Sequence, residues 1–379
     1  MNWNDKTAAN VKAIKPSGIR KFFDIAAQVK GVLSLSIGEP DFAAPDKVLA
    51  AMKASLDAKE TSYTGNSGMM ELREAISHHF EQRYGVHYDP KDEILVTVGV
   101  SEGLAMALLA ITEPGDEVII PDPAYVAYPA SVELAGGTPV FVPTYPEHDF
   151  KLTVEALEKV ITPKTKAIVI GYPNNPTGTV MSAEELMPIA KFAEEHDLIV
   201  LSDEIYCELM YGDAKFTSFA KLPGMRERTV IFNGFSKAYA MTGMRLGYVC
   251  APREGLAPIL KLHQYAIMCA NTTAQVGGIT ALKECDDDVE AMRQEYDRRR
   301  KVIYKGLCDM GLPVFEPKGA FYIFPDIRCT GMTSAEFCEK LVQEEKVAVV
   351  PGTAFGDQGE GFVRISYAAS MDTIQEALK

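Results

Sequence analysis

The residues of this chain with the greatest capacity for chemistry lie between Asn233 and Gly247, in the run NGFSKAYAMTGMRLG. A strand-like stretch, Thr229-Val230-Ile231-Phe232, leads into a small-residue turn that presents Ser236 and Lys237, and Arg245 follows eight residues on. Most lysines are solvated surface charges. A lysine at the end of a buried strand, beside a hydroxyl and near an arginine, is an unusual grouping, and its meaning depends on the partners the rest of the chain supplies.

Those partners stand after other strand-like runs, where an open α/β sheet binds its ligands. Ile94–Val98 is followed by Gly99-Val100-Ser101-Glu102-Gly103 and a helix, whose first N–H groups and dipole suit a phosphate. Tyr125 comes after Asp122-Pro123-Ala124 and offers a flat ring for stacking. Ala167–Gly171 runs into Tyr172-Pro173-Asn174-Asn175-Pro176, a rigid turn with two amides, and Leu198–Ser202 runs into Asp203 and Tyr206. Each group answers one requirement of pyridoxal 5′-phosphate. The phosphate takes the helix start at Val100, Ser101 and Glu102 together with Ser236 and Arg245. The pyridinium nitrogen needs a carboxylate, Asp203, to stay protonated and electron-withdrawing. The ring oxygen takes Tyr206 and Asn175. The aldehyde needs an amine, Lys237.

The elements that must position these residues read as an α/β chain. Seven β-branched runs (Ile94–Val98, Glu117–Pro121, Pro139–Val142, Ala167–Gly171, Leu198–Ser202, Val230–Asn233 and Leu246–Ala251) alternate with helices over Gly103–Ile111, Ala124–Ala135 and Ala183–His196. Continuous apolar strands separated by helices predict a mostly parallel seven-stranded sheet covered on both faces. The last run lacks a crossover helix and is expected antiparallel. Upstream, helices are expected over Ile19–Val29, Pro45–Ala58 and Met69–Tyr84. A helical tract from Gly255 to about Gly311, broken near Asp286, carries Arg298-Arg299-Arg300-Lys301, which reads as a solvated face. Strands at Val314–Phe315, Ala320–Phe324, Ala348–Val350 and Phe362–Tyr367 with a helix at Ser334–Glu345 form a smaller α+β unit. The expected division is a large cofactor-binding domain over 46–284 and a small domain built from both chain ends, 1–45 and 285–379.

The totals agree. The 379 residues are 47% hydrophobic, ample for a large core, and the net charge of −14 argues against nucleic acid and anionic membranes as partners. Seven scattered cysteines with no CxxC pair read as reduced thiols rather than a disulfide framework or zinc site, and the polar N-terminus has no signal-like apolar core. A cytoplasmic protein is expected, with no metal.

The Gly234-Phe235-Ser236-Lys237 … Arg245-Leu246-Gly247 stretch, Asn174-Asn175-Pro176-Thr177-Gly178, Asp203-Glu204-Ile205-Tyr206 and Phe362-Val363-Arg364-Ile365-Ser366 together resemble, in order, the motifs of class I/II (fold type I) pyridoxal-phosphate aminotransferases of the aspartate/aromatic/alanine type. The resemblance runs from about Gly38 to Tyr367. It implies a ping-pong transfer of an amino group from an L-amino acid to a 2-oxo acid such as 2-oxoglutarate. Lys237, Asp203 and Tyr206 would be catalytic, and Lys237 would carry the proton. Arg364 would grip the substrate carboxylate in a bidentate pair, with Asn175 beside it, while Gly38 would let the backbone approach and the segment at Ile19 would line the side-chain pocket. It also implies a homodimer with shared sites, Tyr63 reaching the neighbouring subunit's cofactor phosphate. Some relatives carry tryptophan at Tyr125 or serine at Gly234. No arginine marks a second carboxylate site, so an aromatic or broad-range donor is expected over aspartate.

Taken singly, each residue has an ordinary explanation: Asp203 as a helix cap, Asn175 as a turn residue, Arg364 as a strand arginine. All would have to hold at once. Two alternatives remain. A β-lyase or related enzyme could use the same cofactor scaffold. A serine hydrolase could use Ser101, in a literal GxSxG between strand and helix, with Asp203 and His263, but it would leave Lys237, Arg245 and Arg364 unexplained.

Overall fold

The computed structural model describes residues 1–14, 18, 22 and 29–379. Ile19, and with it nearly all of the helix expected over Ile19–Val29, lies outside the described residues. The seven expected strands form one sheet, in the order Ile94–Thr97, Gly247–Cys250, Thr229–Gly234, Ile199–Asp203, Thr165–Ile170, Glu117–Asp122, Thr138–Pro143. All neighbours pair in parallel except Gly247–Cys250, which runs antiparallel to both Ile94–Thr97 and Thr229–Gly234. The three strands at that end are buried at every position. This is why they read as unbroken apolar runs: helices cover both faces, and no alternate residue is left for water. On one face Leu104 and Leu108 pack with Leu256 and Ile259; on the other Leu72, Ile76 and Phe80 meet Ile94, Ile231 and Tyr248.

A second core holds the chain's two ends together. Leu33–Ser34 pairs in parallel with Val347–Ala348, and Val363–Ser366 pairs antiparallel with both Val350–Pro351 and Tyr322–Ile323. Helix Ser334–Glu344 starts at a reciprocal cap in which Thr333 and Glu336 satisfy each other's backbone N–H groups.

Four expectations need correction. Helix Gly99–Ile111 begins four residues earlier than its periodicity suggested, so the glycine turn is the helix start itself. The tract after Arg253 is three helices, Arg253–Ala266, Thr272–Glu284 and Asp286–Asp309. Its first break is at Ile267–Asn271, where Met268 has φ +74 and the Asn271 side chain caps the next helix. Val314–Phe315 is not a strand; Phe315 packs beside Phe150. Arg299 and Arg300 are not solvated. They are 6% and 3% exposed, pairing with Asp41 and Glu295 and with Asp297 and Glu316 respectively. Both guanidiniums also lie over aromatic rings, Arg299 over Phe42 and Tyr296 and Arg300 over Tyr211. Among the described residues no helix is long and apolar enough to cross a membrane.

Candidate active site

At the carboxyl edge of the sheet, where the chain leaves five of the strands, lies a cavity of about 340 Å³. Its lining includes Gly38, Val100, Ser101, Tyr125, Asn175, Asp203, Tyr206, Ser236, Lys237, Arg245 and Arg364. The structure thus brings together all but three of the residues singled out above. Ile19 lies outside the described residues. Tyr63 is 80% exposed and is not among the residues that line this cavity. Glu102 turns its carboxylate to Val98 N–H and His263 instead.

One end of the cavity is a set of donors. Gly99 has φ +74, and a Cβ there would sit 2.7 Å from Arg245 Nη2, so the arginine closes directly over the helix start. Gly247 lies under the same turn, where a Cβ would meet Val100 N at 2.7 Å. Gly234 is equally confined, since a Cβ would stand 2.8 Å from Gly247 Cα. The absence of serine at Gly234 therefore has a packing cause in this chain.

In the middle, Asp203 is buried and accepts from Tyr128 Oη at 2.8 Å and from Ile205 N–H at 3.2 Å. Burial raises its pKa; the two donors and the charge of Lys237 pull it back. Lys237 Nζ donates to the Gly38 carbonyl at 2.6 Å. Burial lowers the lysine's pKa to about 8, with nearby Arg364 pushing the same way and Glu39 and Asp203 opposing. Tyr206 and Tyr322 share a hydrogen bond at 2.8 Å, and burial holds both phenols neutral by raising their pKa values.

At the far end Arg364 is 3% exposed between the rings of Tyr322 and Phe355. Its Nη1 donates to Asn175 Oδ1 at 3.0 Å, its Nη2 to the Ser36 carbonyl at 2.6 Å, and its Nε has no partner among the described residues. Those acceptors are neutral oxygens. A guanidinium buried without a carboxylate is costly unless an anionic ligand joins it, and burial lowers its pKa accordingly. Gly38 leaves the approach open, since a Cβ there would crowd Tyr322 Oη at 2.9 Å.

The structure adds residues that sequence reasoning missed. Tyr128, the hydroxyl partner of Asp203, was readable as the second tyrosine of Tyr125-x-x-Tyr128, one helical turn on. Gly171 leaves room for its hydroxyl, which a Cβ would approach to 2.7 Å. Tyr322, Glu39, Thr242, Ile205 and Pro173 also line the cavity, and little in their local sequence marks them.

The hydrolase constellation does not assemble. Ser101 lines the cavity, Asp203 is bound to Tyr128, and His263 is bound to Glu102; no histidine is among the lining residues described.

The residues present fit pyridoxal 5′-phosphate: a glycine cradle under an arginine at one end, a buried carboxylate and an amine of lowered pKa in the middle, and a buried guanidinium with only neutral acceptors at the other. Comparison with known proteins gives the same direction. A family model described as aminotransferase class I and II matches residues 30–379. The chain is 51% identical to an aspartate aminotransferase of Pyrococcus abyssi, over 96% of this chain and 94% of that one. It is 47% identical to aromatic-amino-acid aminotransferase 2 of Thermococcus litoralis, over 97% and 95%. The crystal structure of an aromatic aminotransferase from Pyrococcus horikoshii superposes with a TM-score of 0.91 at 49% identity, covering 94% of this chain and 96% of that one.

Proposed function

The chain belongs to the class I and II aminotransferases, and on that premise we propose how its own residues carry out the exchange and which donors it takes. The protein is a pyridoxal-phosphate-dependent aminotransferase. When bound, the cofactor supplies a carbonyl carbon that receives the amino group and a protonated ring that withdraws electrons from the substrate.

Arg364 grips the α-carboxylate of the amino acid with the N–H groups that Asn175 and Ser36 leave unfilled, and so fixes which face of the substrate meets Lys237. Lys237, whose pKa is lowered to about 8, gives up its proton far more readily than an ordinary lysine and would serve as the base that takes and returns the substrate Cα proton. Asp203, oriented by Tyr128 and the Ile205 amide, would pair with the ring nitrogen and keep it protonated. Tyr206, oriented by Tyr322, would donate to the ring oxygen. Tyr125 would stack on the ring, and Ser101, Ser236 and Arg245 would hold the phosphate.

We propose an aromatic or broad-range donor with 2-oxoglutarate as acceptor. Among the described lining residues the cations are Lys237, Arg245 and Arg364, each already assigned, and Glu39 adds a negative charge; this supports a preference away from acidic side chains. Ile19 belongs to the same proposal as a wall of the side-chain pocket. We further propose a cytoplasmic homodimer in which Tyr63 enters the partner's cavity; its exposure and its absence from the lining of its own cavity support this. A large domain over 46–284, with 1–45 and 285–379 as the small one, is supported by the pairing of Leu33–Ser34 with Val347–Ala348.

The observation that carries the reading is Arg364, a buried cation without an acid, facing Lys237 and Asp203 across one cavity. The test is a half-reaction screen: protein loaded with pyridoxal 5′-phosphate is mixed with single amino acids and the visible absorbance of the bound cofactor is followed. Loss is expected with aromatic L-amino acids. No loss with any amino acid refutes transamination.

A further inference from the structure

Neither Glu102 nor His263 lines the cavity, yet they meet at the helix start beside it. Helix Gly99–Ile111 has no side-chain cap at Val98. Its clamp comes from within: Glu102 Oε2 accepts the Val98 N–H at 2.8 Å, and Glu102 Oε1 accepts His263 Nδ1–H at 2.9 Å. His263 stands on helix Arg253–Ala266, whose Leu256, Ile259 and His263 form the buried face. Its side chain is 0% exposed and that of Glu102 8%. His263 Nε2 meets no hydrogen-bonding partner among the described residues. For packing alone, an apolar side chain would fill this position without stranding a polar nitrogen. The ring is there for its Nδ1–H.

We propose that His263 and Glu102 are positioning residues for the phosphate group of the cofactor, acting through the Val98–Ser101 turn. The imidazole fixes the carboxylate, the carboxylate holds the Val98 N–H, and the turn then presents the free N–H groups of the helix start to the phosphate. The imidazole has a second effect. An unheld Glu102 carboxylate is an anion one turn from a helix N-terminus, where it competes with phosphate for the same donors and dipole. Held by His263, it faces away.

This inference rests on the reading of the cavity as the pyridoxal-phosphate site, and the test separates the two. Cofactor-free protein is titrated with pyridoxal 5′-phosphate and, separately, with pyridoxal, which lacks the phosphate, and binding is followed by visible absorbance. Wild type should bind the phosphate ester more tightly; equal affinity for both would sink the phosphate reading itself. His263→Leu should raise the Kd for pyridoxal 5′-phosphate roughly tenfold, the scale of one hydrogen bond's worth of positioning, and leave that for pyridoxal unchanged. His263→Asn, whose amide Nδ2–H reaches Glu102 as Nδ1–H does, should restore wild-type affinity. If His263→Leu does not fold, His263→Met, closer in volume, replaces it. An unchanged Kd for pyridoxal 5′-phosphate overturns the proposal. So does an equal weakening of both ligands, which is the mark of lost packing, and so does failure of His263→Asn to rescue.

Discussion

Replacing Arg364 by lysine keeps the charge and removes the fork, so it isolates what the guanidinium geometry contributes. Arginine has five N–H donors. One is given to Asn175 Oδ1 and one to the Ser36 carbonyl, which leaves about three for a ligand. An ammonium has about three in all; once the same two oxygens are served, about one remains. A carboxylate held by two parallel charge-assisted bonds would then be held by one. Each such bond contributes about 1.5–3 kcal/mol. Arg364→Lys should therefore lower kcat/KM for the amino donor by roughly 10- to 150-fold. Because the grip is present both in the bound substrate and at the transition state, most of the fall should appear in KM. The assay is steady-state transamination with 2-oxoglutarate as acceptor. Far-ultraviolet circular dichroism and the visible absorbance of the cofactor serve as controls for fold and loading. A variant with kcat/KM within about twofold of wild type, in a folded and loaded protein, would refute the assignment of Arg364 as the carboxylate clamp.

Lys237→Ala should leave the fold and cofactor binding largely intact and abolish turnover; measurable transamination by a variant free of wild-type contamination would overturn the central role of this lysine. The same residue makes a signed statement about pH. Its folded pKa, about 8, lies below the ordinary 10.5. Between those values the unfolded chain binds more protons, so stability rises with pH across that window. The cost of burying the ammonium below pH 8 is about 3 kcal/mol. Cofactor-free Lys237→Met lacks this dependence. Its stability relative to wild type, from urea unfolding, should be most favourable below pH 8 and should decline by about that amount toward pH 10.5; a constant difference would show that the lysine is not desolvated. Gly99→Ala places a methyl 2.7 Å from Arg245 Nη2 at a backbone φ of +74. It should weaken binding of pyridoxal 5′-phosphate at least tenfold while sparing pyridoxal, as titration of the cofactor-free protein would show; equal affinity for the ester in variant and wild type would count against the cradle.

The sheet was legible because its strands are buried on both faces and so appear as β-branched runs with polar punctuation. Even the antiparallel strand could be read, from the missing crossover helix before Leu246. The helix start at Gly99 was harder to see. Periodicity marks the residues of a helix that face a core, and Val100 and Ser101 face a cavity. Arg299 and Arg300 misled for a related reason. A run of four cations reads as a wet face, and only the tertiary structure shows two of them stacked on Phe42, Tyr296 and Tyr211 with carboxylates from distant segments. The chemistry-bearing residues of the site were found because they terminate strands. Tyr128 and Tyr322 were not, because a tyrosine inside an apolar element looks like core. Glu102 was read as a cofactor contact from its place in the turn, and its side chain in fact faces the opposite way, to His263.

The antiparallel strand explains why the site holds together at all. In a parallel sheet every strand ends at the carboxyl edge and begins at the other, so a residue just before a strand cannot reach the ligand side. Gly247–Cys250 is inserted in reverse between Ile94–Thr97 and Thr229–Gly234, with Gly247 opposite both Thr97 and Gly234. Its first residue therefore lies at the carboxyl ends of both neighbours, and Arg245, two residues upstream, arrives beside the Gly99 turn of one and the Ser236-Lys237 turn of the other. That convergence needs three chains within van der Waals contact. Gly99, Gly234 and Gly247 meet there, and a methyl on Gly234 or Gly247 would strike the backbone of a neighbouring strand end at 2.7–2.8 Å, while one on Gly99 would strike Arg245 itself. A short connection that forbids a crossover helix, a reversed strand, and three glycines are one device: they carry a cation to the edge of the sheet, at the proposed phosphate site.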